Sequence, residues 1–262
     1  LKLGDGAARS GYRLELFDEL GSTNDEAASR VARSPEGCCD PGRLWIVADR
    51  QFSGRGRLGR AWVSPPGNLY ASLLLIEPCA RKDAPQLGFV AGVALGDALR
   101  KLLGGDRKLV LKWPNDALYD GAKLSGLLLE SFFGGSGPFG CVIGFGVNCE
   151  SHPGDTPYPA TSLKKIGGRK TDRDALFAAL SDSMALWLDA WARGENFAKI
   201  RRAWLDLAGG LDAPARVERN GHVMEGIFRG IDAQGRMLLE RGDGKLETIE
   251  AGDLSFAPQR KL

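Results

Sequence analysis

Arg50-Gln51-Phe52-Ser53-Gly54-Arg55-Gly56-Arg57-Leu58-Gly59-Arg60, followed by Ala61-Trp62-Val63-Ser64-Pro65-Pro66-Gly67, is the stretch on which the fold turns. Gly54, Gly56 and Gly59 fall in the spacing of a dinucleotide-binding fingerprint. That fingerprint must open a helix whose N-terminus receives the pyrophosphate. Pro65, Pro66 and Gly67 cannot continue such a helix. No GxxxxGK[ST] phosphate loop occurs either. The doubly wound nucleotide fold is therefore rejected. What remains is a loop with four arginines, three glycines and no acid. It can gather guanidiniums around phosphate or carboxylate oxygens, or it is a solvated basic turn.

Strand and helix patterns alternate on either side. Tyr12 to Phe17 reads as a first strand. Thr23 with Glu26 forms a capping-box pattern and opens a helix to Ala32. Arg43 to Ala48 and Leu69 to Ile76 are buried strands. Leu87, Val90, Ala91, Ala94, Leu95, Ala98 and Leu102 carry a helix between Pro85 and Gly104. Leu109 to Trp113 is a strand ended by Pro114. Leu124 to Phe133 and Phe139 to Val147 form a hairpin through Gly134-Gly135-Ser136-Gly137. Residues 151–168 read as loop. Helices follow over Asp174 to Ala192 and Phe197 to Leu207. After Gly209-Gly210 the pattern changes to short β runs with turns at Asn220-Gly221, Asp232 to Gly235 and Gly242 to Gly244. The expected division is 1–208 and 209–262.

The chain has 262 residues, with 35 Lys+Arg against 33 Asp+Glu and a formal net charge of +2. That balance speaks against a protein that coats nucleic acid or an anionic membrane. No run approaches ~18 uninterrupted apolar residues, so no membrane helix is expected. The N-terminal residues lack a signal-peptide core. The five cysteines, Cys38, Cys39, Cys79, Cys141 and Cys149, are odd in number and form no CxxC. Free thiols and a cytoplasmic location are the expectation. The two histidines, His152 and His222, sit in no hydrolase or zinc motif. The chemistry must rest on Lys, Arg, carboxylates, amides and backbone.

Four further segments can carry it, each with a plainer reading beside it. Ser22-Thr23-Asn24 opens a helix and either caps it or offers hydroxyls to a ligand. Lys112-Trp113-Pro114-Asn115-Asp116 ends a strand with an amide and a carboxylate, which is also ordinary turn chemistry. Lys123-Leu124-Ser125-Gly126-Leu127-Leu128-Leu129-Glu130 puts a lysine at a strand mouth and a glycine inside the strand. Gly144-Phe145-Gly146-Val147-Asn148 repeats the glycine device. Glycines in a strand mark either a close approach or a bulge.

In order and combination these segments closely resemble the biotin protein ligases over residues 12 to 207, and more weakly to about 257. The resemblance implies an α+β fold: a mixed central sheet with flanking helices, and a C-terminal SH3-like barrel. It implies ATP-dependent attachment of biotin to a lysine of a biotin carboxyl carrier protein, through biotinyl-5'-AMP and with Mg2+ accompanying ATP. It places Lys123 between the biotin carboxylate and the α-phosphate. Arg55 and Arg57 lie along the carboxylate and phosphate, Arg60 at the triphosphate and Trp62 near the adenine. Asn115 and Asn148 hold the nucleotide, and Asp116 positions the reacting groups. Ser22, Thr23 and Gln51 serve the ureido end. Gly126, Leu127, Gly144 and Gly146 wall an apolar slot, and Asn24, Gly54 and Gly56 complete the biotin-binding set. Lys123, Arg57 and Asp116 form the catalytic group. No protein ligand for the metal is implied.

Only about twenty residues precede Ser22, so the monofunctional class without a DNA-binding winged helix is expected, with no specific nucleic acid or membrane partner. Both a monomer and a homodimer are compatible. Two rivals stand: a lipoate or octanoate ligase or transferase of the same fold, which would need a reactive cysteine for octanoyl transfer, and a non-catalytic biotin or adenylate sensor.

Overall fold

The computed structural model describes residues 1–33, 41–133, 138–167, 172–219 and 221–256. Cys38, Cys39, the expected turn at 134–137 and Asn220 lie outside them.

Leu69–Ile76 (β3) decides the layering. All eight of its residues are buried, but alternate side chains go to opposite faces, as a strand's period of two requires. Leu69, Ala71, Leu73 and Leu75 enter the main core, while Leu74 and Ile76 enter a second cluster with Ala27, Val31, Leu44, Ile46 and Val142. A strand buried on both sides reads as a continuous apolar run, as this one does.

Around β3 lie Arg13–Leu20 (β1), Gly42–Gln51 (β2), Leu109–Lys112 (β4), Asp116–Tyr119 (β5), Ala122–Phe133 (β6) and Phe139–Val147 (β7). The sheet order is β1-β2-β3-β7-β6-β5-β4. β1 runs parallel to β2 and the other pairs are antiparallel, so the sheet is mixed as expected. Thr23–Arg33 (α2) covers one face. Gln86–Leu102 (α3), Arg173–Trp191 (α5) and Phe197–Leu205 (α6) pack together around the core on the other. Asp172 caps α5 by accepting from Ala175 N at 2.6 Å.

The remaining strands, Pro214–Arg219 (β8), His222–Ile231 (β9), Met237–Glu240 (β10), Leu246–Ile249 (β11) and Asp253–Phe256 (β12), form a separate antiparallel sheet ordered β11-β10-β9-β8-β12. It is joined to the first by more than the chain. Leu111 N donates to Leu207 O, and Gly209 N donates to Leu111 O, each at 2.8 Å. Trp113 Nε1 donates to Gly235 O at 3.2 Å. Gly235 has φ +82° and no room for a Cβ beside the Phe89 ring.

Several expectations need correction. Asp5–Arg9 forms a short helix (α1) where the N-terminus reads only as polar, and Leu163–Gly167 forms another (α4) inside the expected loop. β5 is a strand where Asp116 reads as the end of a turn. The last α-helix stops at Leu205. The capping box is absent: Ser22 Oγ faces Asp25 N at 3.4 Å, while Thr23 Oγ1 turns to Gln51 and Glu26 pairs with Arg30. No helix among the described residues is long and apolar enough to cross a membrane.

Candidate functional site

The strand ends of the mixed sheet, the Gly/Arg loop and the edge of the small sheet enclose one cleft of about 730 Å³. This is ample for a small ligand. Arg55, Arg57, Arg60, Lys112, Lys123 and Arg216 line it against only Asp116, Glu218 and Asp253. The excess of cations marks a site for anions.

At one end Ser22, Thr23 and Asn24 start α2 against the sheet, all three buried. Gln51 Oε1 accepts from Thr23 N at 2.8 Å and from Thr23 Oγ1 at 3.1 Å, and its Nε2 donates to Ser64 Oγ at 3.1 Å. Ser72 Oγ lies 2.8 Å from Thr23 Oγ1 and 2.6 Å from Asn24 Oδ1. A Cβ on Gly144 would overlap the Asn24 amide, so glycine lets α2 start directly on β7.

The Gly/Arg loop is folded back on itself. Trp62 N donates to Gly54 O at 2.9 Å and Gly56 N to Arg60 O at 2.7 Å, around a 3-10 turn at Arg57–Gly59. The turn carries Leu58 at φ +56°, a left-handed conformation costly for a residue with a Cβ, and its side chain is 82% exposed. The loop lays the Trp62 ring across Gly126 and Gly146: a Cβ on these would lie 3.2 Å and 2.6 Å from ring carbons. Trp62 Nε1 is buried without a protein acceptor.

Beyond the slot, Lys123 Nζ lies 2.8 Å from Asp116 Oδ1, and Lys112 Nζ lies 3.3 Å from Asp116 Oδ2. The register Asp116↔Gly126 on β5 and β6 brings the carboxylate to the lysine. The rings of Trp62 and Tyr158 flank Lys123 Nζ at 5.6 Å and 5.3 Å. Tyr158 is held there because Lys123 N donates to Pro159 O at 2.8 Å and Thr161 N to Lys123 O at 3.0 Å.

The arginines differ. Arg55 Nη1 donates to Asp25 at 2.6 Å, and Arg55 Nη2 meets both Glu130 oxygens at 3.1 Å. These partners, Asp25 foremost, hold its pKa above the ordinary value. Arg55, which lines the cleft, is thus paired with Asp25 and Glu130 in this structure. Arg57 has only long contacts: 3.4 Å to Asn115 Oδ1, 3.4 Å to Gly252 O and 3.6 Å to Asp253. Burial pulls its pKa down, with Asp253 opposing. A partly desolvated cation without a close counter-ion favours an incoming anion. Arg60 meets Asp253 at 3.1 Å.

Two expected residues are not on the wall. Asn148 is buried, its Nδ2 donating to Thr161 O at 3.0 Å, so it ties the 159–163 segment to β7. Gly54 sits behind the cleft, where a Cβ would lie 2.6 Å from Ser64 Oγ and 2.7 Å from Trp62 O. Trp62 covers the glycine slot. Conversely, Tyr158, Arg216, Glu218 and Asp253 line the cleft with no local motif to announce them. Ser125 Oγ is spent on Gly146 O at 2.7 Å.

Among the described residues no thiol is set up as a nucleophile. Cys79, Cys141 and Cys149 are buried and unpaired. Burial pushes the Cys79 thiol up to about 11 and those of Cys141 and Cys149 to about 12. Among the described residues no group of three His, Cys, Asp or Glu could hold a metal ion.

Residues 40–148 match the biotin/lipoate A/B protein ligase family, and residues 214–256 match the biotin protein ligase C-terminal domain. The chain is 38% identical over 225 residues to a biotin–[acetyl-CoA-carboxylase] ligase of Paracoccus denitrificans, covering 82% of this chain and 91% of that one. A ligase of the same name from Mycobacterium tuberculosis is 33% identical over 257 residues, covering 94% of this chain and 90% of its own. Among solved structures, the biotin protein ligase from Aquifex aeolicus in complex with biotin and ATP aligns with a TM-score of 0.78 and 26% identity, over 94% of this chain and 99% of that chain.

Proposed function

The chain belongs to the biotin/lipoate A/B protein ligase family, and from that premise we propose how its cleft works. It is a biotin protein ligase. A biotin carboxylate oxygen attacks the α-phosphorus of ATP, the bond to the bridging oxygen breaks, and pyrophosphate leaves. The ε-amine of an acceptor lysine then attacks the acyl carbon of biotinyl-5'-AMP, AMP leaves and the amine sheds a proton. The acceptor is the biotin carrier domain of a carboxylase, in the cytoplasm.

The observation that carries this reading is Lys123 Nζ held 2.8 Å from Asp116 beside the glycine slot. The nucleophile of the first step is already an anion, so no general base is required. The obstacle is bringing two anions together, and preorganised cations remove it. Asp116 fixes Lys123 and Lys112 as one cationic shelf. Lys123 sits where the slot opens, between a seated carboxylate and the α-phosphate. Arg57 and Arg60 exchange Asp253 for the phosphates. Ser22, Thr23 and Gln51 present hydroxyls and an amide to the ureido group, and Gly126, Leu127, Gly144 and Gly146 wall the bicycle, with Trp62, which rests on Gly126 and Gly146, beside it toward the adenine. Asn115, whose Nδ2 donates to Leu127 O at 2.6 Å, props the slot and points its oxygen toward Arg57. Mg2+ would accompany ATP and offset phosphate charge, held largely by phosphate oxygens and water. We divide the chain into a catalytic part, 1–208, and a β part, 209–262.

The test is pyrophosphate release from ATP with biotin, lipoate or octanoate. Release with biotin, followed by labelling of a carboxylase carrier domain, is expected. Release with lipoate alone would overturn the reading.

A further inference from the structure

Glu130 belongs to none of the groups assigned so far, yet it touches two of them. It lies on β6 opposite Val142, four residues beyond the slot glycine Gly126, with its side chain 25% exposed. Glu130 Oε2 accepts from Asn24 Nδ2 at 2.7 Å. Both of its oxygens take Arg55 Nη2 at 3.1 Å. Asn24 belongs to the start of α2, and Arg55 to the root of the Gly/Arg loop.

The contacts continue past Asn24. Asn24 Oδ1 accepts from Ser72 Oγ, whose oxygen also lies 2.8 Å from Thr23 Oγ1; Thr23 N donates to Gln51 Oε1, and Gln51 Nε2 donates to Ser64 Oγ on the returning arm of the loop. One hydrogen-bonded path therefore leaves the loop at Arg55, crosses the floor of the cleft and rejoins the loop at Ser64. The Asn24 amide sits in the space that a Cβ on Gly144 would take. Charge-assisted bonds are the strong members of such a chain. The two charge-assisted bonds that join Asn24 to Arg55 end on Glu130, while Asp25 at the start of α2 takes Arg55 separately at 2.6 Å.

We propose that Glu130 is a positioning residue of the ligase reaction: it holds Asn24 on the cleft floor and Arg55 at the loop root together, so that seating a ligand against Thr23 and Asn24 and ordering the loop above it are one event. This rests on the ligase reading. Glu130 makes no contact with the reacting atoms. It acts by keeping the loop shut over the intermediate.

Glu130→Gln separates the two duties. Its carbonyl still accepts from Asn24, while its amide no longer attracts Arg55. Asp25→Asn weakens Arg55 from the other side and leaves Glu130 intact. For both variants the melting temperature stays within a few degrees of wild type. Trypsin cleaves the ligand-free loop at Arg55–Arg60 faster. The biotin KM and the biotinyl-adenylate off-rate rise by roughly tenfold, with kcat for pyrophosphate release within about twofold. Glu130→Gln combined with Arg55→Gln does no more than Arg55→Gln alone. Wild-type loop cleavage and KM in Glu130→Gln, or strict additivity with Arg55→Gln, would overturn the proposal. Loop cleavage needs no turnover, so its result stands apart from the ligase reading, which fails only if wild type releases no pyrophosphate with biotin.

Discussion

Gly146 and Trp62 share one space: a Cβ on Gly146 would sit 2.6 Å from Trp62 Cε2. The indole therefore lies on the strand itself, over backbone, in the space a side chain at Gly146 would take. Gly146→Ala is expected to lift the ring and raise the biotin KM by tenfold or more, with a stability loss of about 1–3 kcal/mol from overpacking. Isothermal titration with biotin and a denaturant titration check the two effects. Unchanged affinity would show that the seat of Trp62 on Gly146 takes no part in ligand binding.

Lys123→Ala should reduce adenylation by at least about a hundredfold, the typical cost of losing one preorganised charge in the transition state. Lys112 would still neutralise Asp116 at 3.3 Å, so the fold should survive. Single-turnover pyrophosphate release measures the chemistry and thermal melting the fold. Wild-type turnover would remove Lys123 from the reaction.

Arg57→Gly should loosen the grip on the intermediate. Arg57 has no protein partner nearer than 3.4 Å, so its removal costs the fold little. Losing one arginine–phosphate contact is worth about 1.5–3 kcal/mol, or roughly a ten- to hundredfold faster adenylate off-rate. Escaped anhydride acylates exposed lysines, so bystander proteins should acquire biotin. Unaltered dissociation and a clean background would mean that the loop is only a solvated turn.

Stability should fall at alkaline pH. Burial raises Cys79 to about 11, and Cys141, Cys149 and Tyr12 to about 12. The unfolded chain releases these thiol protons near pH 9, where the folded chain still holds them, so the unfolded state binds fewer protons and gains as pH rises. The contribution is complete below pH about 9 and is lost between there and about 12. The unfolding free energy from denaturant titration should hold steady to pH about 8, then drop by roughly 1 kcal/mol per buried thiol by pH about 10. A flat profile to pH about 10.5 would mean that the thiols ionise freely, and would reopen a transferase with a reactive cysteine.

Much of this architecture is written locally. The apolar run of Leu69 to Ile76 specifies a strand covered on both faces, and the 85–104 punctuation specifies its helix. Short-range patterns fail where a partner from elsewhere decides. Thr23 has the spacing of a cap, but Gln51 and Ser72 claim its hydroxyl, and Ser22 faces the helix N–H instead. Asp116 reads as turn chemistry because its strand is four residues long and exists only by pairing with β4 and β6. Asn148 belongs to a motif that suggests a ligand contact, but Thr161, thirteen residues on, takes its amide. The arginines of the loop look alike in sequence, and only folding shows Arg55 paired and Arg57 nearly free. Arg216 and Asp253 could not be found from their own surroundings, because the small sheet brings them to the cleft from outside every motif.

The indole of Trp113 and the carbonyl of Gly235 bring a last consequence. Trp113 stands one residue before Pro114 in the segment that sets Asn115 and Asp116, and its N–H is satisfied only by the small sheet. Phe89, in the first turn of α3, is closed over by the same Gly235 turn. Cutting the chain near residue 208 would strand a buried donor, uncover an aromatic ring and open the Leu111 ladder, all beneath the residues that hold Lys123. The change of architecture at that point is thus a seam in the sequence and not in the material. The small sheet supplies the larger part with the acceptor of Trp113 and the cover of Phe89.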